Sequence, residues 1–278
     1  EGGAAEVAVD IGIAIGPEDG TQAELLLARA EDALAAARAA PLPAIHCFAP
    51  EQEAAIRARR ALERDLRDAV AEGAFQLHWQ PQRRLSDRGL IGFEALLRWP
   101  HPTRGMVPPD EFIPIAEATG LIVPLGAWVL RVAAAEAARW PGELKAAVNL
   151  SAAQLRAGGL LATVQEALSA AGLPQHRLEL EVTESQLITD GLSASRLLAE
   201  LRALGVTVAL DDFGTGWSSL AYLRRFAFDQ IKIDRAFLRD LDADPRVEAI
   251  LAAILGLGRG LNLTVVAEGI ETEEQARR

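Results

Sequence analysis

Two adjacent carboxylates, Asp211 and Asp212, close the run Val206-Thr207-Val208-Ala209-Leu210, and Phe213, Gly214, Thr215 and Gly216 follow them. A short, β-branched apolar run of this kind reads as a buried strand. Successive strand residues face opposite sides. Asp211 therefore shares a side with Thr207 and Ala209, and Asp212 takes the other unless the strand has already ended. Two ionised aspartates at the mouth of an apolar strand repel each other, and a cation or a lysine relieves the repulsion. A strand-end turn with an aspartate cap has the same letters, so the rest of the chain must decide. Other apolar runs also deliver polar groups on or at their ends: Glu94 in 90–99, Asn149 in 146–150, Glu181 in 178–183 with Glu184 just beyond, Lys232 in 230–234 and Glu268 in 264–268.

Any one of these is most simply a satisfied structural polar group. Brought together they form an acidic bowl. Two like charges 4 Å apart repel by roughly 4 kcal/mol at an effective dielectric near 20, so converging acids must be protonated or hold divalent cations. Oxygen donors with one amide, and neither histidine nor cysteine, suit Mg²⁺, Mn²⁺ or Ca²⁺ rather than zinc. Asp211 is of the type that bridges two metals about 4 Å apart, the arrangement that activates water and clamps a phosphodiester. Lys232 would orient the attacking water or neutralise a phosphate oxygen; its plainer reading is a salt bridge to a neighbouring acid. His46, His78, His101 and His176 are scattered and make no metal set.

What must position these groups is a repeating pattern of strands and helices. Strands are expected at 75–80, 90–99, 146–150, 178–183, 206–211, 230–234 and 264–268. Helices are expected at 110–119, 125–140, 160–171, 192–204 and 247–261, a short one at 220–225, and another starting at Thr272. Such units imply mostly parallel strands with right-handed crossovers, and their number favours an α/β fold of the (β/α)8 barrel type, in which the strand C-termini share one rim. Residues 1–48 read as a small α+β fragment, strand 7–15, helix 23–39 and strand 45–48. Residues 49–73 read as a linking helix closed by Gly73, and 74–278 as the barrel. With 278 residues, half of them hydrophobic, a sizeable core is available. A net charge of −11 with no basic stripe argues against a nucleic-acid polymer as partner. No membrane segment or signal peptide is legible, and the single Cys47 fits a reducing, cytoplasmic compartment.

The motifs Phe93-Glu94-Ala95-Leu96-Leu97-Arg98-Trp99, Asn149-Leu150-Ser151, Glu181-Val182-Thr183-Glu184, Asp211-Asp212-Phe213-Gly214-Thr215-Gly216, Lys232-Ile233-Asp234 and Ala267-Glu268-Gly269-Ile270-Glu271 resemble, in this order, the EAL family of cyclic-di-GMP phosphodiesterases. Gln80-Pro81 fits too, and the likeness covers about residues 51–278. It implies a TIM-like barrel that hydrolyses cyclic di-GMP to the linear dinucleotide pGpG in bacterial second-messenger signalling. It implies two Mg²⁺ or Mn²⁺ as cofactors, with Ca²⁺ inhibitory. Glu94, Asn149, Glu181 and Asp211 would hold the first metal, and Asp211 and Asp212 would hold or border the second. Lys232 and Glu268 would assist the water, Lys232 foremost. Gln80, Leu97 and Arg98 match substrate-contacting positions. Glu184 matches the acid that steadies loop 211–220, and that loop with the helix after it would form a homodimer contact. Trp217 stands where tyrosine is more usual. Ile11 to Ile15 followed by Pro17-Glu18-Asp19-Gly20 resembles the end of a GGDEF domain without its signature loop. The family also has an eighth strand and a glutamine beyond the position of residue 278, so the barrel reads as truncated before its last strand. The parent protein would be anchored to a membrane, if at all, by regions outside this chain.

Two other readings compete. A receptor of the same fold would bind cyclic di-GMP without cleaving it; such relatives usually lose metal ligands, and here the full set remains. An unrelated barrel enzyme with Mg²⁺ and a lysine base, of the enolase type, satisfies the spacing but not the Asp-Asp-Phe-Gly-Thr-Gly loop.

Overall fold

The computed structural model describes residues 9–38, 44–187, 191–214, 223, 225–239 and 245–277. The chain divides into two compact units, Glu1–Asp68 and Ala69–Arg278. In the first, β1 (Ile11–Ile13) and β2 (Ile45–Cys47) pair in parallel, with α1 (Ala23–Arg38) between them in sequence. The boundary falls within α2 (Pro50–Glu72), where Leu62, Leu66 and Ala69 are buried at helical spacing. Gly73, at φ +69°, ends that helix, and the Ala74 N–H returns to the Ala69 carbonyl at 2.9 Å.

The second unit opens with an antiparallel hairpin, β3 (Gln76–Arg83) and β4 (Leu90–His101). This departs from the strand-helix repeat, and the reason is length. The connection of a few residues, held by the Gly89 N–H on the Asp87 carboxylate at 2.9 Å, is too short for a parallel crossover. The short β5 (Gly105–Val107) then pairs back on the end of β4. Next come α3 (Pro109–Thr119), α4 (Ile122–Ala137), β6 (Lys145–Asn149), α5 (Ala152–Ala157), α6 (Leu160–Ala171), β7 (Leu178–Thr183), α7 (Gly191–Leu204) and β8 (Thr207–Phe213). The unit continues through β9 (Gln230–Ile233), α8 (Arg235–Arg239), α9 (Pro245–Leu261) and β10 (Thr264–Ala267). The eight-stranded sheet runs β10-β9-β8-β7-β6-β4-β3, with β5 beside β4; every pair from β4·β6 through β9·β10 is parallel. This is the α/β, TIM-like arrangement expected, present as an open, curled part of a barrel with β3 and β10 at its two ends. The helix expected from Thr272 is instead a turn through the described residues, closed by the Gln275 N–H on Thr272 Oγ1 at 3.2 Å. Most of the short helix expected at 220–225 lies outside the described residues.

Strand alternation divides the sheet into two chemically different faces. Leu178, Leu180 and Val182 of β7, Val208 and Leu210 of β8, and Ile231 and Ile233 of β9 face the helices and bury fully among Ala133, Ala134, Ala137, Val164, Leu198 and Leu201. Burying each Leu or Ile there is worth about 1.5–3 kcal/mol. The intervening residues, Glu179 and Glu181, Thr207 and Asp211, Gln230 and Lys232, face the other way. Two alanines make that inner side habitable. Ala147 lies in register between Glu94 and Glu179, and Ala209 between Glu181 and Gln230. Both are fully buried, and their small side chains leave room for the long polar chains of the flanking strands.

Among the described residues no single helix is long and apolar enough to cross a membrane; α3 and α4 pass only as a pair bent by 119°, and their apolar side chains are largely buried in the core.

Replacing Ala209 by leucine is expected to destabilise the domain by about 1–3 kcal/mol through overpacking of the inner face. Urea unfolding checks this, and an unchanged midpoint would mean the inner face has slack that the geometry does not show.

Candidate active site

The inner face gathers its charges on one atom. Lys232 Nζ, on a side chain 1 % exposed, lies 2.7 Å from Glu181 Oε2, 2.7 Å from Glu268 Oε1, 3.3 Å from Glu94 Oε2 and 3.3 Å from Asp211 Oδ1. These acids come from β7, the end of β10, β4 and β8. Asn149, at the exposed end of β6, donates from Nδ2 to Glu94 Oε1 at 2.7 Å. The side chains grade from a sealed floor to an open mouth: Glu181 is 0 % exposed, Asp211 11 %, Glu94 14 % and Glu268 30 %.

Burial opposes the Lys232 charge, but Glu181, Asp211, Glu94 and Glu268 overrule it, and the ammonium holds its proton more firmly than a free lysine does. For Glu181 the balance is the reverse. Burial pushes its carboxyl well up, Lys232 pulls it back, and Glu94 and Asp211 push it up again. Burial also raises Glu268 and Asp212, the latter further through Asp211 and Asp234. One buried acceptor, Glu181 Oε1, has no hydrogen-bond partner.

Asp211 and Asp212 sit where the β8–β9 register slips between Leu210 and Phe213. Asp212 takes φ +54°, and its N–H donates to Asp211 Oδ1 at 2.9 Å. The strict alternation expected of these two aspartates therefore fails, because a bulge interrupts the strand. Left-handed backbone at a non-glycine residue stores strain of order 1–3 kcal/mol. Asp211 keeps the face that alternation gives it, and the bulge turns Asp212 to the same rim.

Of the other positions singled out in the sequence, Gln80 is paired across the hairpin with Glu94 and so shares its face. Arg98 also shares that face, and its guanidinium donates to the Leu97 carbonyl at 2.9 Å. The Leu97 side chain turns the other way and packs against the core, leaving its backbone as the part nearest the face. Glu184 is buried, 3 % exposed, on a 3₁₀ turn after β7. Residues 215–220 of the loop it was expected to steady, Trp217 included, lie outside the described residues.

Three features went unread in the sequence. Below Glu181, Glu179 accepts from Gln230 Nε2 at 2.6 Å and lies 4.0 Å from Lys145 Nζ, a second polar layer that a Leu-Glu-Leu-Glu run could have signalled. Asp234 acts on Asp212 and accepts the Ala236 N–H at 2.9 Å, capping α8. Ser151 and Gln154 form a capping box that starts α5, a Ser-x-x-Gln signal legible in the letters.

A cavity of about 320 Å³ opens beside the rim, lined by Leu97, Arg98, Glu117, Asn149, Gln154 and Gln186 among others.

Residues 63–278 match the family model described as the EAL domain. The chain belongs to the EAL-domain family. This EAL domain is 50% identical over 265 residues to a protein of Caulobacter vibrioides described as an uncharacterized signaling protein, a match covering 95% of this chain and 33% of that one. It is 41% identical over 273 residues to the bifunctional diguanylate cyclase/cyclic di-GMP phosphodiesterase MucR of Pseudomonas aeruginosa, covering 97% of this chain and 40% of MucR. Among solved structures, the PaMucR phosphodiesterase in complex with c-di-GMP superposes with a TM-score of 0.74 at 45% identity, over 78% of this chain and 90% of that one. The chain thus spans between a third and two-fifths of the length of these curated relatives.

The donor set of this EAL domain fits a hard divalent cation: carboxylate oxygens and one amide, with a buried carboxylate oxygen left without a partner. Among the described residues no three acids, histidines or cysteines already surround a common vacant point. The Lys232 ammonium occupies the centre instead.

Lys232→Met, which keeps length and removes charge, is expected to cost about 3–5 kcal/mol in chelator-treated protein, since it leaves buried carboxylates uncompensated. Urea unfolding measures it. A loss below about 1 kcal/mol would show that these acids are neutral without the lysine.

Proposed function

We propose that this EAL domain hydrolyses one phosphodiester of cyclic di-GMP, giving linear pGpG, with bound Mg²⁺ or Mn²⁺. The observation that carries the reading is the convergence of Glu94, Glu181, Asp211 and Glu268 on one buried ammonium, with Asn149 alongside. The likeness to MucR supports the substrate, and the adjoining cavity has room for roughly one nucleoside half of a cyclic dinucleotide.

Glu94, Asn149, Glu181 and Asp211 would hold one cation, and Asp211 with Asp212 a second. When bound, such ions neutralise phosphate oxygens and acidify a coordinated water. Ca²⁺, larger and less exacting in its geometry, would occupy the same oxygens and inhibit. Lys232 would orient the attacking water or meet a phosphate oxygen. Glu268, at the open end of the bowl and 2.7 Å from Lys232 Nζ, would assist the same water. Arg98 and Gln80 share the Glu94 face and would contact the substrate, with Leu97 through its backbone.

The same reading includes a homodimer through loop 211–220, steadied by Glu184, and a cytoplasmic location within a longer signalling protein. Residues 1–48 would be the tail of a GGDEF domain; the parallel β1–α1–β2 unit is compatible with it.

Glu94→Ala is expected to lower turnover of cyclic di-GMP by about two orders of magnitude or more, to weaken Mn²⁺ binding and to leave the circular dichroism unchanged. Full activity would remove Glu94 from the metal set. Lys232→Met, assayed with saturating Mn²⁺, should depress kcat more than it raises KM; a change confined to KM would make Lys232 a substrate contact. Binding of cyclic di-GMP that is indifferent to chelator, with no linear product, would favour a receptor.

A further inference from the structure

Three aligned observations concern the short helix α8, which none of the sequence motifs used. It begins at Arg235, three residues after Lys232, and Asp234, between it and β9, caps it. Its Phe237 ring lies where a side chain on Gly214 would stand: a Cβ built on Gly214 would be 2.7 Å from the ring edge, and Gly214 has φ +95°. Its Arg235 does the same to the segment after β10: a Cβ on Gly269, at φ +73°, would be 2.6 Å from Arg235 Cβ. Gly214 is two residues from Asp212, and Gly269 follows Glu268. The Glu268 N–H also donates to the Ile233 carbonyl at 3.1 Å, next to Lys232. Phe237 in turn packs against the buried pair Leu238 and Val247, on which Ala267 and Ile270 also pack, so its ring has a firm backing.

We propose that α8 is a positioning clamp. Phe237 seated on Gly214 fixes the bulge that carries Asp211 and Asp212, and Arg235 seated on Gly269 fixes Glu268, so the acids of β8 and β10 keep one geometry about Lys232. The physical need is plain. The Asp212 backbone is strained and its neighbours carry like charge, so an unbuttressed bulge would relax outward. A glycine at each contact lets the helix approach to backbone distance, which a side chain would prevent. Phe237 acts through the backbone at 214. This inference rests on the divalent-cation site proposed above.

The test is calorimetric titration of the full chain with Mn²⁺, alongside kcat and KM for cyclic di-GMP, in Phe237→Ala, Phe237→Leu and Gly214→Ala. Phe237→Ala should weaken Mn²⁺ binding and lower kcat by about tenfold or more, with KM little changed. Phe237→Leu, which refills most of the space, should recover the greater part of both. Gly214→Ala, which drives a methyl into the ring, should reproduce the loss and serves as the deciding variant if Phe237→Ala does not fold. Wild-type Mn²⁺ affinity in Phe237→Ala, or in Gly214→Ala if that variant decides, overturns the clamp. Mn²⁺ binding by the wild-type chain without hydrolysis would instead overturn the proposed reaction and leave the clamp standing on its Mn²⁺ readout.

Discussion

The constraint on which the rest of this domain depends is electrostatic. One ammonium, sealed from water, stands within 3.3 Å of four carboxylates, three on separate strands and one just past the end of a fourth. Neither side is tolerable without the other. A lone buried lysine would lose its proton, and the acids alone would repel by several kcal/mol per pair. The arrangement still leaves an excess of acid over base, a buried oxygen without a partner, and carboxyls raised by burial at Glu181, Glu268 and the neighbouring Asp212 and Glu179. That residual imbalance is what the proposed cations would offset.

Positioning such a centre requires that apolar and polar functions be divided by strand alternation. The helix-facing residues of β7, β8 and β9 supply the core, and their neighbours one residue away supply the chemistry. The division succeeds because Ala147 and Ala209 stand between the long polar residues of adjacent strands. It is interrupted at the β8 bulge, where two consecutive acids are needed on the same rim. The strain there is met by packing from α8.

Much of this was legible in the letters. Apolar runs ending in acids, glycines closing helices, and the order of the motifs pointed to an α/β barrel and to the residues that gather on Lys232. What was not legible came from tertiary context. The antiparallel start required noticing that 81–89 is too short for a crossover, although the pattern of β3 and β4 individually was clear. The Asp212 turn depends on a register slip that no propensity announces. Asp234 was visible as part of a motif, but its action on Asp212 follows from the bulge. The layer of Glu179 and Gln230 looked like ordinary alternation until the two strands were placed either side of Ala209. The contacts of Phe237 and Arg235 with two glycines distant in sequence could not be read from either end alone.

Membership of the EAL family is shown by the sequence match, while the proposed hydrolysis rests on the geometry around Lys232. The most direct measurement is anomalous scattering from crystals of the domain grown with Mn²⁺. The account predicts manganese signal at the rim, bounded by Glu94, Asn149, Glu181 and Asp211, with the lysine ammonium displaced from its central place. Manganese found only on the acidic outer surface, with Lys232 still holding all four carboxylates, would contradict it.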